Sequence, residues 1–301
     1  MKNSIASNAT VLNVYTFILI LMSGGISLNT VHADEPIKKT MRGNSTGCGI
    51  PQLVTGDFVT HKMSILSENR TYHLRVPRNY DRNRAYPVIF RWHGAPGNGL
   101  SEGMNIETIS EEDAIIVGAD GLNKVWNARS DFMDLLFNTT PINILFFDSM
   151  LDTLEKKYCI DRDRIFSYGF SQGATFANLL ACERADVLRG SAVIAGLRRP
   201  SAIVAAWRRG GYCKGDGKVA VWFLHDVDDE VVPVKKGRAV RDWAIAVNGC
   251  SKDTVIESDS CVRYKGCEAA PVVWCETKGF GHNIRSDFAP EKVWSFFSTL
   301  H

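Results

Sequence analysis

Apolar positions along this chain fall into two periods, and the periods alternate. Residues 71–76 alternate apolar with polar, as a half-buried strand does, while 87–92 form a nearly continuous apolar run that suits a strand buried on both faces. Residues 114–118, 164–168, 191–195, 219–224 and 271–275 read as further short strands. Between them, apolar residues at 144, 147, 151, 154 and 158 lie on one face of a helix. Helices are also predicted over 172–184, 236–247 and 290–300, the last with Pro290 in its first turn, where a missing N–H is harmless. Strands alternating with helices predict an α/β fold: a mostly parallel sheet covered on both faces.

The N-terminus departs from this pattern. Lys2 precedes an apolar stretch centred on residues 17–22, and Val31-His32-Ala33 fits a small-residue cleavage site. Residues 1–33 therefore read as a signal peptide, because Ser23-Gly24-Gly25 interrupts the apolar run before the roughly 20 residues that spanning a bilayer requires. No repeat or linker divides the remainder, so residues 34–301 are expected to form a single domain that is secreted, with no membrane association after cleavage.

Composition narrows the function. Net charge is +2 across 301 residues, which provides no electrostatic footprint for nucleic acid. All 8 cysteines follow residue 33, and none forms a Cys-x-x-Cys pair, so disulfides are expected rather than a zinc site. Eight cysteines permit 105 pairings, and the sequence does not choose among them. Asn44, Asn69 and Asn138 head N-glycosylation triplets.

The candidate chemistry centres on Gly169-Phe170-Ser171-Gln172-Gly173. A serine between two glycines arises readily by chance and also describes a capped helix start. This one sits where a predicted strand ends and a helix begins, the setting of a nucleophile elbow in the α/β-hydrolase fold. A serine hydroxyl needs a base held by a carboxylate, and in this fold the order is serine, acid, histidine. Of 7 histidines only His282 and the terminal His301 lie far enough downstream, and His282 occupies a Gly-rich loop between the last strand and the last helix. The acid is expected among Asp226, Asp228, Asp229 and Glu230. Asp229 is favoured by its distance past the strand end, and Asp228 is the alternative. The turn His93-Gly94-Ala95-Pro96 follows strand 87–92, where this fold supplies one amide to an oxyanion. The amides of Ala95 and Gln172 are therefore the expected oxyanion donors, since Pro96 has no N–H.

Taken together, these residues resemble the secreted feruloyl esterase and polyhydroxybutyrate-depolymerase-like group of α/β-hydrolases, a carbohydrate esterase type. The resemblance runs through Gly47-Cys48-Gly49, Trp92-His93-Gly94, Tyr158-Cys159-Ile160-Asp161, Gly169-Phe170-Ser171-Gln172-Gly173, Leu180-Ala181-Cys182, Asn248-Gly249-Cys250, Tyr264-Lys265-Gly266-Cys267, Gly279-Phe280-Gly281-His282 and Trp294-Ser295-Phe296-Phe297. The family's acid loop is similar to His-Gly-x-x-Asp-x-x-Val-Pro, which lands on His225, Asp229, Val232 and Pro233, with Asp226 standing where glycine is usual. The resemblance implies a cofactor-free, metal-free serine esterase acting on feruloyl or acetyl esters of xylan. A polyhydroxybutyrate depolymerase and a non-catalytic secreted binding protein are the alternatives. Trp126 matches a family tryptophan that either packs against substrate or belongs to the core, and Arg198, Arg199, Arg208 and Arg209 mark a basic loop.

Overall fold

The computed structural model describes residues 43–53, 56–126, 142–197 and 217–300. Ten strands make one sheet: β1 (Phe58–Ile65), β2 (Glu68–Arg75), β3 (Tyr86–Trp92), β4 (Ile115–Ala119), β5 (Ile160–Phe170), β6 (Gly190–Ile194), β7 (Ala220–Asp226), β8 (Thr254–Ser258), β9 (Cys261–Tyr264) and β10 (Val272–Thr277). Their order is β1-β2-β4-β3-β5-β6-β7-β10-β9-β8. The six strands from β4 to β10 run parallel, and antiparallel strands finish both edges. A single helical turn, α1 (Glu107–Ser110), four longer helices, α2 (Ile142–Lys157), α3 (Gln172–Glu183), α4 (Val234–Asn248) and α5 (Ala289–Ser298), and a short 3-10 turn at Leu122–Lys124 complete the regular elements described.

Alternation along β3 divides the core between the two faces of the sheet. Val88, Phe90 and Trp92 pack with Phe146, Phe147 and Met150 of α2 and with Phe176 and Leu180 of α3. On the other face Ile89 joins Phe166, Tyr168, Trp222 and Val273 against Val293, Phe296 and Phe297 of α5. Every residue of β3, β4, β6 and β7 is buried, which is why these strands read as continuous apolar runs.

Two features depart from the sequence-based expectation. Strand β7 continues past Leu224 to Asp226, because His225 and Asp226 pair with Glu276 and Thr277 of β10. Strands β1, β8 and β9 have no predicted counterpart: β1 and β8 are edge strands, largely open to solvent, and carry no sustained apolar signal. The proposed signal peptide, Asn138 and the four arginines of the basic loop lie outside the described residues, whereas Asn44 and Asn69 are exposed.

Three disulfides join described residues, and no cysteine among the described residues is free. Cys48–Cys159 spans 111 residues and fastens the N-terminal segment to the start of β5. Beside it Ser45 Oγ–H donates to Tyr158 O and accepts from Ile160 N–H. Cys250–Cys267 and Cys261–Cys275 close short loops at the β8–β10 edge, separated by 17 and 14 residues. Loop-closure entropy rises with the length closed. Removing Cys48–Cys159 by paired alanine substitution should therefore cost roughly 4–5 kcal/mol, against roughly 3 for Cys261–Cys275. Chemical denaturation of the two double variants checks the order; equal losses, or the reverse, would show that native packing and not chain entropy governs these bridges.

Candidate active site

The site begins where β5 turns into α3. Ser171 lies between them with φ 53° and ψ −116°, a left-handed conformation that costs about 1–3 kcal/mol for a non-glycine residue. The turn is held by two hydrogen bonds: Ser171 N–H donates to Ile194 O at 2.9 Å, and Thr175 N–H donates to Ser171 O at 3.0 Å. Its glycines are required by close approach. A Cβ on Gly173 would lie 2.0 Å from Trp92 O, and one on Gly169 would lie 2.4 Å from Gly173 O. The start of α3 is thus pressed against the end of β3, which brings the Ser171–Gln172 peptide beside the turn at Gly94 and Ala95.

The other two side chains arrive on loops after adjacent parallel strands, Asp229 after β7 and His282 after β10. His282 Nε2 is 2.9 Å from Ser171 Oγ, and His282 Nδ1 is 2.8 Å from Asp229 Oδ2. With Nδ1–H donating to the carboxylate, Nε2 is left as the acceptor for the serine hydroxyl. Asp229 is 4% exposed, and its Oδ1 accepts from Val231 N–H at 3.0 Å and Val232 N–H at 2.8 Å. The buried charge is therefore satisfied on both oxygens. Asp228, the alternative acid, is exposed and accepts from Gly279 N–H at 2.9 Å. Of the four acidic residues in this stretch, the structure brings Asp229 to His282.

At the turn after β3 and the start of α3, neither the Ala95 nor the Gln172 amide donates to another described residue; Gln172 opens α3, where intrahelical acceptors are lacking. The Ala95–Pro96 peptide is cis. His93 fixes this turn from below: its Nε2 accepts from Gly121 N–H at 2.9 Å, so its Nδ1–H donates to Gly94 O at 2.7 Å. Trp126 is 1% exposed, stacks on Phe176 and donates through Nε1–H to His93 O, so it belongs to the core rather than to a substrate surface. The Gln172 side chain accepts from Trp126 N–H at 2.7 Å. This contact had no sequence signal, because it depends on the approach of two distant loops.

A cleft of about 210 Å³ opens over Ser171 and His282, walled by Ala95, Pro96, Met104, Phe170 and Ile284. The arrangement offers a hydroxyl beside an imidazole base, with two amide donors near the turn that leads into it. Among the described residues, no group of three or more His, Cys, Asp or Glu side chains is placed to hold a metal ion.

The proteins this chain is similar to include feruloyl esterases. Feruloyl esterase D of Neurospora crassa is 31% identical over 316 aligned residues, covering 95% of this chain and 97% of that protein. A probable feruloyl esterase C of Aspergillus flavus is 30% identical over 296 residues, covering 92% and 99%. The chain belongs to the feruloyl esterase family. Among solved structures, an acetyl xylan esterase from Aspergillus awamori matches with a TM-score of 0.63 at 15% identity, over 80% of this chain and 99% of that one. A ferulic acid esterase from Anaeromyces mucronatus, in complex with ferulic acid, matches with a TM-score of 0.51 at 15% identity, over 83% and 93%. At these identities the structures establish the shared fold. No family model matches the chain.

Two buried histidines flank the site, His93 and His225, the latter donating from Nε2–H to Val232 O at 2.6 Å. Burial pushes both below the ordinary histidine value, against the opposing pull of their hydrogen bonds and nearby carboxylates. With the folded values depressed, the unfolded chain binds more protons below about pH 6.5. Their contribution to stability is complete above that pH and is lost as pH falls through the folded values. Thermal midpoints should therefore drop between about pH 7 and 5, with a shallower slope in His225→Gln; an unchanged slope would remove His225 as a source of the loss.

Proposed function

We propose that this protein is a secreted serine carboxylic ester hydrolase that releases ferulate-type acids from plant cell-wall polysaccharide, xylan above all. The observation that carries the reading is the hydrogen-bonded series Ser171–His282–Asp229 in a chain whose relatives are feruloyl esterases along nearly their whole length. Secretion is supported by the signal-peptide pattern of residues 1–33, and the exposed Asn44 and Asn69 are suited to carry glycans. No helix of the described residues is long and apolar enough to cross a membrane.

In this reading His282 Nε2 takes the proton of Ser171 Oγ as that oxygen attacks the ester carbonyl. Asp229 holds the ring in the tautomer that leaves Nε2 free and stabilises the imidazolium that forms. The carbonyl oxygen, now negative, is received by the Ala95 and Gln172 amides, each such donor contributing about 3–4 kcal/mol to the transition state. His282 then gives its proton to the departing sugar hydroxyl, leaving a feruloyl ester on Ser171. Water repeats the sequence: His282 takes its proton, the tetrahedral intermediate collapses, and the acid leaves as Ser171 is restored. These residues supply every proton transfer, and no cofactor enters.

The test is release of acid from methyl ferulate, p-nitrophenyl acetate and short hydroxybutyrate oligomers by the purified protein. Ferulate release should fall at least about 10³-fold in Ser171→Ala and about 10³- to 10⁴-fold in Asp229→Asn, with Asp228→Asn within a few-fold of wild type. Faster cleavage of acetyl or hydroxybutyrate esters would move the substrate and keep the chemistry. A folded wild type no faster than Ser171→Ala on every ester would leave a non-catalytic binding protein as the better reading.

A further inference from the structure

The residue that departs from the family pattern in the acid loop lies at the junction of the two loops that bring acid and base together. Asp226 ends β7, opposite Thr277 at the end of β10, and is 5% exposed. Its carboxylate accepts four hydrogen bonds. Oδ1 receives Asp228 N–H at 2.9 Å and Gly281 N–H at 3.1 Å, and Oδ2 receives Thr277 Oγ1–H at 2.9 Å and Phe280 N–H at 3.2 Å. One donor therefore belongs to the acid loop, immediately before Asp229. A second, Thr277, ends β10, and two belong to the histidine loop, of which Gly281 immediately precedes His282.

The backbone of the histidine loop is shaped for an anion. Gly279 and Gly281 have φ of +89° and +61°, values that favour glycine, and the N–H groups of residues 279, 280 and 281 all donate to carboxylates of the acid loop. Successive amides converging in this way form an anion nest. Gly279 meets the exposed Asp228, while Phe280 and Gly281 meet the buried Asp226. A glycine at 226, as in the family pattern, would leave the two inner amides without these acceptors. Burial works to raise the pKa of Asp226, but the four hydrogen bonds outweigh it and hold the carboxyl below its ordinary value, so it is charged at neutral pH.

We propose that Asp226 is a positioning residue: it serves as the internal anion for the two inner amides of the nest, Phe280 and Gly281, and so locks His282 in register with Asp229 and Ser171. It touches neither the serine nor the cleft, so its effect passes through the placement of the imidazole. The proposal rests on the esterase reading above for its kinetic consequence but not for its structural one.

The experiment compares Asp226→Ala and the near-isosteric Asp226→Asn with wild type in the full chain. For Asp226→Ala, kcat on p-nitrophenyl acetate should fall about 10- to 100-fold with KM within about two-fold, since misplacing a reacting group affects the chemical step more than binding. The rate of Ser171 labelling by a fluorophosphonate should fall in parallel. Asp226→Asn keeps one carbonyl oxygen for two of the four donors and turns an NH₂ towards the others, so it should lie between the two. The low-field proton resonance between His282 Nδ1 and Asp229 should broaden or vanish in Asp226→Ala. If Asp226→Ala does not fold, Asp226→Asn decides by the same readings. Folded variants with kcat, labelling rate and the His282 resonance unchanged would overturn the proposal, whatever their loss in thermal midpoint. If the wild type cleaves no ester, the esterase reading fails separately, and the resonance still decides the role of Asp226.

Discussion

The turn that carries Ser171 exists because two backbones meet with no room for a side chain between them. Gly173 lies so close to the carbonyls of Trp92 and His93 that a single methyl group would overlap both. That contact sets the distance between α3 and the end of β3, and with it the separation of the Gln172 amide from the turn carrying Ala95. The strained Ser171 conformation persists because the helix on one side and the Ile194 carbonyl on the other leave it no alternative. Once the serine is fixed in this way, the base must be brought to it, and two loops on the far side of the sheet centre do so.

Those loops are held by charge more than by apolar packing. Asp229 accepts hydrogen bonds from backbone amides of its own loop and from His282, and Asp226 from amides of both loops. Each buried carboxylate has donors for both oxygens, the condition under which a charge can leave water without a large penalty. The opposite side of the site relies on neutral contacts. His93, Trp126 and the Gln172 amide group link the turn at Gly94 and Ala95 to the core through single hydrogen bonds and stacked rings. The serine thus stands between a polar clamp and an aromatic one.

Much of this was legible in the sequence, and the parts that were not share a physical cause. Strands β3, β4, β6 and β7 are buried on both faces and show as apolar runs, whereas β1 and β8 lie at edges where water tolerates almost any residue. Ser171 and His282 were legible because chain order and glycine placement restrict them strongly. Asp229 was preferred over Asp228 by its distance past the strand end and by a family pattern, because two adjacent carboxylates differ in direction and not in chemistry. The Asp226 clamp left one trace, an aspartate where glycine is usual, and its meaning depended on a loop conformation that no local pattern encodes. The hydrogen bond from Trp126 to Gln172 left none.

Strands β7 and β10 are neighbours in the sheet although more than forty residues of chain separate their ends. The chain between them is an excursion through α4 that lays down the two edge strands β8 and β9 and then returns between β9 and β7. Asp229 precedes this excursion and His282 follows it, so their spacing is set by inter-strand hydrogen bonds and not by the length of what lies between. Two short-range disulfides tie the excursion to itself and to the returning strand. For an evolving lineage, this makes the segment a place where sequence can be gained, lost or exchanged while the chemistry stays in alignment, and it gives the fold a site of variation outside the loops that frame the cleft.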